Sequence, residues 1–156
     1  MKINTVLVPL DGSALAEAAL PRVVELAADS DTRVILLRAA HAATFPPGDV
    51  VSAQVKVVEE AERYLAEVAS RLRTLGVQQV RCSVWYGAPA PAIVDAAGLN
   101  HADLIVMASH GRSGLGRVVM GSVAESVLRG TTTPILLLRD GQAPLEVPTG
   151  RATCSV

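Results

Sequence analysis

A chain of 156 residues is sized for one domain and, once folded, removes about 70% of its extended-state surface from water, so it needs no disulfide or metal staple. Half of the residues are hydrophobic, yet the aromatics are one Trp, two Tyr and one Phe, which leaves a core of Ala, Val, Leu and Ile, the usual filling of helix-covered parallel sheets. A formal net charge of −1 with no Lys/Arg block argues against nucleic acid as the main partner, and no apolar run approaches the ~20 residues of a membrane span.

The N-terminal apolar run stops at Asp11 and carries no signal-peptide cleavage pattern. The two cysteines, Cys82 and Cys154, lack metal-ligand spacing. Cytoplasm is the expected location.

In chain order, short β-rich runs alternate with longer helical patterns, the signature of an α/β fold. Thr5–Leu10 reads as the first strand. Asp11-Gly12-Ser13 turns into a helix with Ser13 as N-cap and Ala16, Leu20, Val23 and Ala27 at helical spacing; Pro21 inside it predicts a kink. Val34–Ala39 is the second strand, and 41–49, with Pro46-Pro47-Gly48, is an exposed loop. The longest helix spans about Val51–Leu75. Its expected apolar stripe is Val55, Val58, Leu65, Val68, Leu72 and Leu75, with Glu59, Glu60, Arg63, Glu67 and Arg71 mostly off it and Gly76 as its stop. Val80–Trp85 is the third strand, and Trp85 and Tyr86 are candidates for core or pocket rim. Gly87-Ala88-Pro89 opens a short helix to about Ala97. Leu104–Ala108 is the fourth strand, Gly121-Ser122 marks the start of a fourth helix, and Pro134–Leu138 is the fifth strand. From Asp140 onward Gly, Pro, Thr and Ser dominate without periodicity. Residues 1–139 therefore read as the domain and 140–156 as a mobile tail.

Five such strands joined by right-handed crossovers make a doubly wound, five-stranded parallel sheet with helices on both faces. With strands one and four as central neighbours the strand order is 3-2-1-4-5. Ligands in such sheets sit beyond the carboxyl ends of the strands, where the order reverses. That puts Asp11 and the glycine-rich loop after strand four (Gly111, Gly114 and Gly116) beside one crevice.

A flexible loop between a buried strand and a helix start suits an anion, because first-turn N–H groups lack helical partners and the helix dipole favours negative charge. Gly111 and Gly121 would permit positive φ and close backbone approach, and Ser122 and Val123 would offer N–H groups. Asp11 suits a ribose hydroxyl. With bound phosphates it could also share Mg2+, which takes few protein carboxylates. The Walker pattern is absent, as are the dinucleotide glycine fingerprint and the acidic pair of a receiver domain. His110 has no nucleophile and carboxylate arranged around it in sequence, His41 and His101 read as surface or loop residues, and no His/Cys cluster suggests a metal site.

The pattern that remains is Ala108-x-x-Gly111, nine residues, then Gly121-Ser122. With Ser109-His110-Gly111-Arg112, Gly121-Ser122-Val123-Ala124-Glu125, Val8-Pro9-Leu10-Asp11-Gly12-Ser13, Gly87-Ala88-Pro89 and Pro134-Ile135-Leu136-Leu137-Leu138, the chain resembles the universal stress protein family over roughly Lys2–Arg139. The resemblance implies an ATP site that includes Pro9, Leu10, Asp11, Ala39, Met107, Ala108, Ser109, His110, Gly111, Arg112, Gly114, Gly121, Ser122 and Val123. In it Ala39 would present its backbone to adenine, and Pro9 and Met107 would line the base pocket. The departure is Ala108, which stands where the family has its first glycine and adds a methyl beside the ribose. The resemblance also implies a homodimer through strand five, Pro134–Leu138. Three readings stay open: a cytoplasmic, ATP-holding stress-response module with at most slow hydrolysis, a nucleotide-free interaction protein acting through its dimer surface, and a phospho- or nucleotidyltransferase.

Overall fold

The computed structural model describes residues 2–28, 31–40, 50–109 and 121–139. Within them β1 (Thr5–Pro9), β2 (Arg33–Ala40), β3 (Gln79–Tyr86), β4 (Leu104–Ser109) and β5 (Ile135–Arg139) form one sheet in the order β3-β2-β1-β4-β5. Every pairing is parallel, and Val6 of β1 lies opposite both Val34 and Leu104. The predicted doubly wound α/β fold and its strand order are the ones observed.

Strand side chains alternate between faces, and that alternation builds two cores. Val6, Val8, Val34, Leu36, Leu104 and Val106 face α2 (Leu20–Ala27) and α3 (Val50–Thr74). Leu7, Ile35, Leu37, Ile105 and Met107 face α4 (Pro89–Leu99) and α5 (Ser122–Gly130). The central strands are buried on both sides, which is why they read as unbroken aliphatic runs.

The single kinked helix expected after β1 is two helices, α1 (Ala14–Glu17) and α2. Ser13 caps α1 as predicted, its Oγ accepting the Ala16 N–H at 3.1 Å. Pro21 sits in the first turn of α2, where its missing N–H would have had no helical partner. Proline here starts a helix rather than bending one.

Gly76 ends α3 with φ at +95°. Its N–H donates to the Arg73 carbonyl and the Val77 N–H to the Leu72 carbonyl, both at 3.1 Å, the paired bonds of a Schellman stop. Leu65, Val68 and Leu72 are buried as expected, and Ala61 and Ala69 join them. Val55 and Leu75 instead stand 50% and 59% exposed. The cause is length: 25 helical residues span about 37 Å, whereas eight strand residues span about 26 Å, so the helix ends overhang the sheet.

Away from the strand carboxyl ends, Asp103 ties β1 to β4. Its Oδ2 accepts the Asn4 and Thr5 N–H groups at 2.8 and 2.9 Å, and its own N–H donates to the Thr5 carbonyl at 2.9 Å. β5 is an edge strand, and Ile135–Leu138 are half-buried. Trp85 packs beside the second core, whereas Tyr86 is exposed. The predicted tail, 140–156, lies outside the described residues.

Candidate functional site

β1 and β4 are neighbours, but the chain leaves them toward opposite faces: to α2 on the first and to α5 on the second. The divergence opens a crevice of about 260 Å³ at their carboxyl ends. β1 and its exit supply Pro9, Leu10 and Asp11. β2 supplies Ala39, β4 supplies Met107, Ala108 and Ser109, and the start of α5 supplies Gly121, Ser122 and Val123. Ten of the residues predicted for one site thus line one cavity. The other four, His110, Gly111, Arg112 and Gly114, lie outside the described residues, as does His41.

The Asp11-Gly12-Ser13 turn shapes one rim. Asp11 Oδ1 accepts the Ser13 N–H at 2.9 Å, and its carboxylate is exposed. Gly12 takes φ +88°, and a Cβ placed there would sit 3.5 Å from the Arg38 guanidinium. The positive φ is what favours glycine at that position, since 3.5 Å is an ordinary contact distance.

The opposite rim is the N-terminus of α5. Gly121 is its N-cap at φ −58° and ψ 145°, and no side chain among the described residues caps the helix. The expected positive φ at Gly121 is therefore not used: this is extended backbone that any residue adopts. What glycine offers there is the lack of a side chain at the cavity wall. Ser122 and Val123 belong to the first turn, whose N–H groups have no partner within the helix.

Ala108 packs its methyl with the first core while also lining the crevice. Leu37, Ile93, Pro9 and Met107 make the walls largely apolar. Asp11 is the one ionisable side chain among the described residues of the lining. No group of three or more His, Cys, Asp or Glu comes together among the described residues, and His101 stands exposed in a turn at φ +49°.

Sequence reasoning missed lining residues contributed by helices: Leu15 and Ala16 of α1, Pro89 and Ile93 of α4, and Ala124 of α5. The signal was partly there. Gly87-Ala88-Pro89 marks a helix starting at the carboxyl end of β3, and α4 then packs over the β1–β2 face.

The sequence profile of the universal stress protein family matches residues 2–139. The chain belongs to the universal stress protein family. It is similar to a universal stress protein of Methanocaldococcus jannaschii, 29% identical over 140 residues, 86% of this chain and 81% of the relative. Among solved structures it resembles a universal stress protein in complex with cAMP. That likeness is 27% identical, has a TM-score of 0.68, and covers 90% of this chain and all of the other. A universal stress protein family member of Arabidopsis thaliana with AMP bound shares the fold at 16% identity and a TM-score of 0.66, over 89% of this chain and 93% of that one. No helix among the described residues is long and apolar enough to cross a membrane.

Proposed function

We propose that this universal stress protein is a cytoplasmic module that binds ATP, with Mg2+, between β1 and β4 and changes its interactions with nucleotide state. The observation that carries the reading is the pairing, across one crevice, of the Asp11 carboxylate with the start of α5, which no side chain among the described residues caps. A carboxylate accepts hydroxyl hydrogen bonds, and a free helix N-terminus takes anions, so together they match the ribose and the phosphates of one ligand.

In this assignment Asp11 accepts from the ribose, and the Ala39 backbone meets the edge of adenine. Pro9, Leu10 and Met107 pack against the base. Gly121, Ser122 and Val123 take phosphate, joined by Ser109 and by the loop residues His110, Gly111, Arg112 and Gly114. Ala108 turns its methyl to the first core, so the extra carbon is compatible with a ribose alongside. Mg2+ would be shared by Asp11 and phosphate oxygens and would screen their charge. The cAMP complex of a relative supports an adenine nucleotide as the ligand class.

No water-activating base is arranged in the described lining, so hydrolysis is expected to be slow and the protein to act by binding rather than catalysis. The half-buried edge at β5 supports a homodimer built on Pro134–Leu138.

The direct test is to denature the purified protein and identify released small molecules by chromatography and mass. Adenine nucleotide near one equivalent per chain is the expected result. No released nucleotide, together with no binding heat on adding Mg·ATP, would leave the nucleotide-free interaction protein as the better reading. Rapid turnover abolished by His110→Ala would leave a transferase.

A further inference from the structure

Tyr64 stands on α3, away from the crevice, yet it holds both ends of the segment that forms one crevice wall. The Arg38 guanidinium lies over its ring, 5.0 Å from the centroid, pairs with Glu60 at 3.7 Å, and faces Gly12, 3.5 Å from where a Cβ would stand. Its hydroxyl donates to Glu17 Oε1 at 3.0 Å. Arg71, two turns further along α3, donates to Glu17 Oε2 at 2.6 Å. Glu17 is the last residue of α1, whose Leu15 and Ala16 line the crevice.

Apart from Ala16, which packs against the first core, α1 has little else to hold it. It is four residues long and none of them is fully buried. A helix this short does not persist in water by itself. Besides its backbone bonds and the Ser13 cap, its described polar anchors are the two bonds to Glu17. Burial and the bond to Glu17 both push the Tyr64 hydroxyl pKa up, so the phenol keeps its proton and remains a donor.

We propose that Tyr64 is the positioning residue of this wall: through Arg38 and Glu17 it fixes the Asp11–Glu17 segment on α3 and so sets how long a nucleotide stays in the crevice. The effect on nucleotide lifetime rests on the crevice being the ATP site proposed above. The anchoring of α1 does not. When α1 is detached, the wall carrying Leu15 and Ala16 is lost, and apparent affinity falls with the attached fraction.

Two substitutions separate the arms. Tyr64→Phe keeps a ring beneath Arg38 and removes only the bond to Glu17, whereas Tyr64→Leu removes both contacts. In the nucleotide-free protein, Tyr64→Phe is expected to speed amide exchange at Glu17, Ala18 and Ala19 about fivefold, leaving Ser13, whose N–H is held by Asp11, unchanged, and Tyr64→Leu to extend the change to Ser13. Mg·ATP dissociation from Tyr64→Phe is expected to quicken by about the same factor. Glu17→Lys should likewise release α1, and Glu17→Lys with Arg71→Glu should restore its protection, a rescue that a merely destabilising change would not show. Unchanged exchange at residues 17–19 in Tyr64→Phe, with its urea midpoint near wild type, overturns the proposal. If the wild-type protein binds no Mg·ATP, the crevice reading fails, and the exchange and rescue results still decide the anchoring of α1.

Discussion

Asp11 Oδ1 accepts the backbone N–H of Ser13 at 2.9 Å, so one carboxylate oxygen fixes the turn between β1 and α1. Asp11 also lines the crevice, and in the proposed function its other oxygen accepts from the ribose. Asp11→Ala is therefore expected to weaken Mg·ATP binding by about 1.5–3 kcal/mol, the usual loss of a hydrogen bond to a charged group. Asp11→Asn, which keeps an acceptor, should lose less. Calorimetric titration of both variants checks the order, and equal affinities for wild type and Asp11→Ala would remove Asp11 from the site.

Asp103 gives a pH signature unrelated to the ligand. Bonds from the Asn4 and Thr5 N–H groups hold its carboxyl pKa below the usual range. Because the folded-state value lies below the unfolded one, its stabilisation is fully present above the unfolded pKa and is lost as pH falls toward the folded one. The stability gap between wild type and Asp103→Asn, from urea unfolding, should be widest at neutral pH and shrink below about pH 4. A gap that widened on acidification would contradict the assignment.

The same residues show how much was legible in the sequence. Gly76 announced the end of α3, and Ser13 the cap of α1, because each type has a specific backbone or capping reason to be there. The aliphatic runs announced buried strands, since a sheet covered on both faces needs no polar alternation. Pro21 was misread because kink and helix start look alike until the length of the preceding helix is known. Val55 and Leu75 were misassigned because a periodic stripe does not reveal where the sheet beneath it stops. Asp11 lies just beyond β1 and Ala39 near the end of β2; the strand pattern located both ends, and the family resemblance gave Ala39 its place in the site. The α1 and α4 walls, and Tyr64 behind them, depend on contacts between distant segments that no local pattern encodes.

Gly76→Ala should destabilise the fold by about 1 kcal/mol, because φ +95° is costly for any residue with a Cβ and both closing bonds of the α3 stop depend on that conformation. The check is the urea midpoint at unchanged slope. An unaltered midpoint would mean that the helix end relaxes into another stop.

Sedimentation of the wild-type protein at micromolar concentration should give the mass of a dimer. Leu138→Lys, on the half-buried edge strand, should shift it to a monomer with its helical circular dichroism retained. A wild-type monomer, or a dimer indifferent to Leu138→Lys, would place any association elsewhere.

The central claim is that Asp11 and the start of α5 hold the ribose and the phosphates of one nucleotide. Titration calorimetry with Mg·ATP on wild type and Gly121→Val tests it most directly. Gly121 has ordinary extended backbone angles, so valine there is conformationally allowed but projects a side chain at the crevice wall. Near-stoichiometric binding by wild type, abolished in a Gly121→Val protein that unfolds at close to the wild-type urea concentration, is the predicted result. Equal affinity in the two proteins, or no heat from wild type already freed of nucleotide, would contradict it.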